Sequence, residues 1–103
     1  MTHVVVEQVF DQPASDEMLE GFAHRIEGCL QIRDGAWVRS YVAMDRKRLT
    51  CEFTAPDVES VREAFRHAGI EFERAWAAMV FSIEQNPTLQ DKIQKFRETT
   101  TTK

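Results

Sequence analysis

Residues Trp37–Ile70 read WVRSYVAMDRKRLTCEFTAPDVESVREAFRHAGI. The first part is β-branched and aromatic, the composition of a strand. Asp45-Arg46-Lys47-Arg48 interrupts it with four charged residues, and Leu49–Thr54 resumes the strand character. Ala55-Pro56-Asp57 then breaks the chain, and Asp57 suits a helix N-cap. Val58, Val61, Ala64, Phe65 and Ala68 recur at helical spacing, and Gly69 suits the stop. The stretch therefore predicts strand, tight turn, strand and helix. With Arg46 and Lys47 as a two-residue turn, Tyr41 faces Glu52 and Arg39 faces Thr54. That register puts Val38, Ser40, Val42, Leu49, Cys51 and Phe53 on one face. Trp37, Arg39, Tyr41, Thr50, Glu52 and Thr54 share the other.

Working outward, Thr2–Phe10 is a strand around Val4-Val5-Val6, free of Gly and Pro. Ser15 precedes Asp16 and Glu17, an N-cap followed by acids that suit the helix dipole. Leu19, Phe22, Ala23, Ile26 and Leu30 form that helix's apolar face, and Gly35 closes the segment. Ala36–Met44 and Leu49–Thr54 are the hairpin strands, and Glu73–Ile83 is the fourth strand. The order is βαββαβ, which predicts an α+β, ferredoxin-like fold. Its antiparallel sheet has the expected order 4-1-3-2, with both helices on one face. Asn86-Pro87 opens a short C-terminal helix with a Leu89, Ile93, Phe96 stripe. The expected division is a ferredoxin-like domain over 1–83 and a helical extension over 84–103, with Thr99–Lys103 frayed.

The 103 residues suit one domain, with 43% apolar and 29% charged residues. A net charge of −4 without a Lys/Arg stripe argues against nucleic acid and against an anionic membrane surface. No apolar run approaches the ~20 residues that span a bilayer. The opening MTHVVVEQVFDQ lacks a basic start and a small-residue cleavage site, so it reads as a strand and not a signal peptide. Cys29 and Cys51 stand apart in apolar settings, as reduced thiols of a cytoplasmic protein would.

Both helices on one side leave the other face of the sheet to water or to a partner. That face carries Trp37 and Tyr41 beside Arg39 and Glu52, and large aromatics are rarely left open together. A homodimer that pairs two such faces into an α+β barrel is the expected solution, with the last helix clamping the partner. Its part-apolar, part-charged interior has the make-up of a ligand pocket, lined by Glu7, Trp37, Arg39, Tyr41, Glu52 and Trp76. His3 and Glu7 lie four apart on one strand and share a face with Glu52. Together the three could supply nitrogen and oxygen donors to a divalent ion. The competing reading is that Glu7 or Glu52 pairs with Arg39. His24 and His67 fall opposite their helices' apolar faces and read as solvated. No nucleophile–base pair and no phosphate-cradling glycine loop is present.

W-V-R-S-Y-V, a charged turn, C-E-F-T-A-P-D-x-E-S-V-R-E and a helix ending H-A-G-I resemble a bacterial family of ferredoxin-like proteins. That family, of unassigned role, is named for a nickel-binding member. The opening V-V-V-E-Q-x-F is similar to the family's first strand, so the resemblance spans about Met1 to Phe81. It implies a ferredoxin-like fold, a dimer and, for the namesake, bound nickel. The family pattern carries histidine where this chain has Arg39, and it ends before Glu84.

Three classes of function follow as expectations, the third being a pure interaction or regulatory module in which the sheet merely makes a dimer. The first is a small homodimeric protein that binds a small ligand or a metal ion, nickel or another divalent cation. The second is a cofactor-independent enzyme of the dimeric barrel type, monooxygenase-like or isomerase-like. In that case Glu7, Glu52 or Tyr41 would serve as acid or base.

Overall fold

A computed structural model describes residues 1–101, with side chains described through residue 98. The elements are β1 (Thr2–Val9), α1 (Asp16–Gln31), β2 (Ala36–Val42), β3 (Arg48–Ala55), α2 (Val58–Ala68), β4 (Arg74–Ala78) and α3 (Pro87–Thr101). The sheet order is β2-β3-β1-β4 and all three pairings are antiparallel, the expected ferredoxin-like topology. The Ser15 hydroxyl caps α1 by accepting from Met18 N at 3.1 Å, and the Asp57 carboxylate caps α2 through Ser60 N at 2.7 Å. Gly69 ends α2 in the left-handed region at φ 70°, and Ile70 N closes the cap on Phe65 O at 2.9 Å. At the end of α1 the left-handed residue is Asp34, at φ 57°, and not the neighbouring Gly35.

Alternation places Val4, Val6, Leu49, Cys51, Phe53 and Ala55 beneath the helices, against Ile26, Leu30, Val61, Ala64 and Phe65. Phe65 meets Phe53 and Phe72 edge-on, with ring centroids 5.7 and 5.5 Å away. Gln8 is the buried polar residue of this layer, and its amide donates to Glu71 O at 3.0 Å.

The hairpin register differs from the expected one by two residues. Val42 pairs with Leu49, Tyr41 with Thr50, and Arg39 with Glu52. The connection is longer than two residues: Ala43 N donates to Arg48 O at 2.9 Å, and Arg46 N to Ala43 O at 2.8 Å. Tertiary contacts select this loop. Arg46 O accepts from Ala14 N at 2.8 Å and Lys47 O from Phe10 N at 2.9 Å. The Arg46 guanidinium bonds Ala14 O at 2.7 Å and pairs with Asp16. A shift of two leaves the faces unmixed, so Arg39, Tyr41, Thr50 and Glu52 stay together as expected.

Trp37 is the exception. A bulge between Trp37 and Arg39 inserts Val38 and pairs Trp37 with the core-facing Phe53. The indole therefore lies on the helix side, where Nε1 donates to Ser40 Oγ at 2.9 Å. This corrects its expected place on the open face.

β4 is also shorter than the expected Glu73–Ile83. It pairs with β1 alone, and β1 runs out where His3 meets Ala78. Met79, Val80, Phe81 and Ile83 follow as an exposed apolar segment. Asn86 supplies the first backbone bond of α3 to Gln90 N at 3.1 Å, while its side chain donates to Ser82 O at 2.7 Å. The helix continues to Thr101, beyond the Thr99 boundary expected for fraying, and the rest of that tail lies outside the described residues. Among the described residues no Cα atom of α3 comes within 8 Å of one in another helix or strand. The radius of gyration is accordingly 17.3 Å, against about 13 Å for a compact chain of this length.

Candidate functional site on the open sheet face

The helix-free face is built by alternation on four strands. β1 contributes His3, Val5 and Glu7; β3 contributes Thr50, Glu52 and Thr54; β2 contributes Arg39 and Tyr41; β4 contributes Arg74 and Trp76. Val5 sits at the centre, paired with Glu52 on one side and Trp76 on the other. Tyr41 and Trp76 are exposed here, at 57% and 44%.

Two carboxylates organise the polar groups. Glu52 Oε2 lies 3.1 Å from His3 Nε2 and 3.7 Å from Arg39 Nε. The hydrogen bond from His3 does most to hold the Glu52 carboxyl below the usual carboxylate range. Partial burial opposes it, and the Tyr41 hydroxyl and the Arg39 charge reinforce it. Glu7 Oε2 accepts from Trp76 Nε1 at 2.9 Å and stands 3.8 Å from Arg74 Nε. Each acid thus has an arginine and a second donor.

Of the residues expected to line one pocket, Glu7, Arg39, Tyr41, Glu52 and Trp76 share this face. Trp37 does not. Arg74 is the member that sequence reasoning missed. It sits two residues before Trp76, so strand alternation puts it on the same side once the phase of β4 is known.

The expected metal donors split in two. His3 meets Glu52, whereas Glu7 lies four residues along β1, about 13 Å away at strand spacing. Glu7 is occupied by Trp76 and Arg74. Among the described residues no group of three or more His, Cys, Asp and Glu converges on a point that could hold a metal ion. His24 and His67 are exposed on the helices, on the far side of the sheet. Nickel favours imidazole-rich sites, so one histidine and one carboxylate beside a guanidinium do not make a nickel site within a single chain. Both cysteines are free: Cys51 is buried under the sheet and Cys29 is partly buried on α1. Among the described residues no helix is long and apolar enough to cross a membrane.

No curated protein matches the chain. The fold is similar to that of SCO4226 from Streptomyces coelicolor A3(2), known from its crystal structure. The TM-score is 0.71 at 10% identity, over 78% of this chain and 99% of that one. The family model described as nickel responsive protein SCO4226-like matches residues 4–77, which spans β1 to β4, and the chain belongs to that family.

Proposed function

We propose that this protein is a homodimer that pairs its open sheet faces and holds a small polar ligand or a divalent metal ion between them. The observation that carries the reading is an uncovered face on which Tyr41 and Trp76 stand exposed around two pre-oriented carboxylates. A second copy would cover the aromatics and exclude water from Glu7, Glu52, Arg39 and Arg74. Opposite charges on the face are balanced, so the pairing buries no net charge.

Metal binding enters through the family, which is named for a nickel-responsive protein. One chain offers only His3 and Glu52, and two-fold pairing doubles that set. Glu7 completes the expected donors only by abandoning Trp76 and Arg74. The acid–base alternative is weaker on one ground. A Glu52 carboxyl held below the usual range is a poor proton acceptor at neutral pH.

Light scattering combined with elemental analysis of the purified protein tests the reading. The expected mass is twice the 11.9 kDa of one chain. A monomer at micromolar concentration refutes the paired faces. A dimer free of metal leaves the small polar ligand as the occupant.

A further inference from the structure

On the opposite side of the sheet, α1 and the edge strand β2 do not close on each other. Between them lies a recess of about 320 Å³, walled by Leu19, Phe22 and Ala23 of α1 and by Trp37, Ser40 and Val42 of β2. Cys51 and Phe53 form its floor. Trp37 remains 48% exposed and Val42 39% exposed, although both face apolar side chains of α1. Filling the gap with carbon would bury both walls at once, which is the condition for apolar binding.

We propose that this recess is a binding site for a small uncharged aromatic molecule bearing one hydroxyl or carbonyl group. Its size is that of a small-ligand site, since such sites begin at about 300 Å³ and an apolar cavity of about 150 Å³ accepts benzene. Its chemistry excludes ions. The one charged lining residue is Glu20, exposed at the rim, so an ionic ligand would be desolvated without a partner inside. Burial pushes the Cys51 thiol up, so it stays neutral as well.

The polar anchor is a short relay. Trp37 Nε1 donates to Ser40 Oγ at 2.9 Å, and Ser40 Oγ donates to Cys51 Sγ at 3.0 Å. That leaves one lone pair on the serine oxygen and the weak S–H donor of the cysteine. A ligand hydroxyl meets the first and a ligand carbonyl the second. The bulge at Val38 builds this arrangement, because only the bulged register brings the indole round to the serine's side of the strand. The site is separated from the open face by the sheet, so it stands independently of the proposed pairing.

1-Naphthol titrated into the full chain, followed by calorimetry and by tryptophan fluorescence in a Trp76→Phe background, tests the proposal. One molecule per chain is expected to bind with micromolar Kd and to change the Trp37 emission. Naphthalene-1-sulfonate is expected to bind at least about tenfold more weakly, since its charge cannot be matched inside. Ser40→Ala should weaken 1-naphthol by roughly three- to tenfold, the worth of one hydrogen bond, and leave naphthalene unaffected. Ala23→Leu should fill the recess and abolish binding, and Val42→Phe is a second filling variant should the first fail to fold. Absence of saturable 1-naphthol binding overturns the proposal. So does equal binding of the sulfonate, or undiminished binding in a folded filling variant.

Discussion

The indole of Trp37 donates to the Ser40 hydroxyl at 2.9 Å, and the same hydroxyl donates to the Cys51 thiol at 3.0 Å. An edge strand and its neighbour are thereby tied by side chains as well as by their backbone ladder. Cys51 is buried, and burial outweighs the serine's hydrogen bond in setting its acidity, so little thiolate forms near neutral pH. Cys29, on α1, is only partly buried.

The two thiols should therefore differ in reactivity. With iodoacetamide at pH 8, native Cys51 is expected to react at least about 100-fold more slowly than in denaturant, and Cys29 to react first. Peptide mass spectrometry of a time course reads both rates. Comparable native rates at the two sites would show that burial does not hold the Cys51 thiol in its neutral, unreactive form.

On the open face the pH dependence follows from Glu52. Its folded pKa is depressed, chiefly by the His3 hydrogen bond. A depressed carboxylate contributes stability that is present above its unfolded pKa, about 4.3, and lost as pH falls through the lower folded value. Acid unfolding should thus draw on this group below about pH 4. His3→Ala removes the largest contribution, so the Glu52 pKa should rise toward its unfolded value, and the loss of stability on acidification should become smaller and be complete at a higher pH. Carboxyl-carbon NMR of Glu52 in both proteins measures this. An unchanged pKa in His3→Ala sinks the assignment.

Which parts of this arrangement the sequence made legible follows from how local each cause is. The caps at Ser15, Asp57 and Gly69, the phases of β1 and β3 and the apolar faces of α1 and α2 are set by neighbours in the chain, and each is where residue spacing put it. The hairpin loop is held by Phe10, Ala14 and Asp16, more than 25 residues away in sequence, so turn chemistry alone suggested a shorter turn. Trp37 departs from its expected face because a bulge leaves no mark in an alternating pattern when both faces carry apolar residues. β4 stops short of the expected Ile83 because Met79–Ile83, although apolar enough for a strand, lies past the start of β1 and has no strand partner there among the described residues. Part of the open face is legible in the same way: Glu52 and Arg39 share it as alternation predicts, because a register error of two preserves faces.

If the open faces pair, charge placed at their centre should separate them without unfolding either chain. Trp76 is exposed in one chain, so Trp76→Glu should leave the thermal unfolding of the monomer within about 1 kcal/mol of the parent. In a paired interface a carboxylate there would be buried beside Glu7. Its dimer dissociation constant should rise by at least about 100-fold, the scale of a truncated central aromatic. Sedimentation over a concentration series reads the constant. A dimer of unchanged strength places the interface elsewhere.

Nickel affinity should turn on Arg39. Its guanidinium lies 3.7 Å from Glu52 Oε2, whose other near neighbour is the His3 ring at 3.1 Å. Arginine donates hydrogen bonds only and repels a cation, so it suppresses whatever ion-binding capacity that pair has. Arg39→His exchanges the repelling charge for an imidazole at the ladder position opposite Glu52. Nitrogen donors then outnumber the single carboxylate, the balance that nickel prefers. Calorimetric titration should show weak or undetectable nickel binding to the parent and at least about tenfold tighter binding to Arg39→His. The gain should vanish in the Arg39→His, His3→Ala double variant. Equal affinities in all three proteins would remove His3 and Glu52 from any account of metal binding, and submicromolar affinity in the parent would show either that Arg39 swings clear of the carboxylate or that the ligands come from elsewhere, such as His24 or His67.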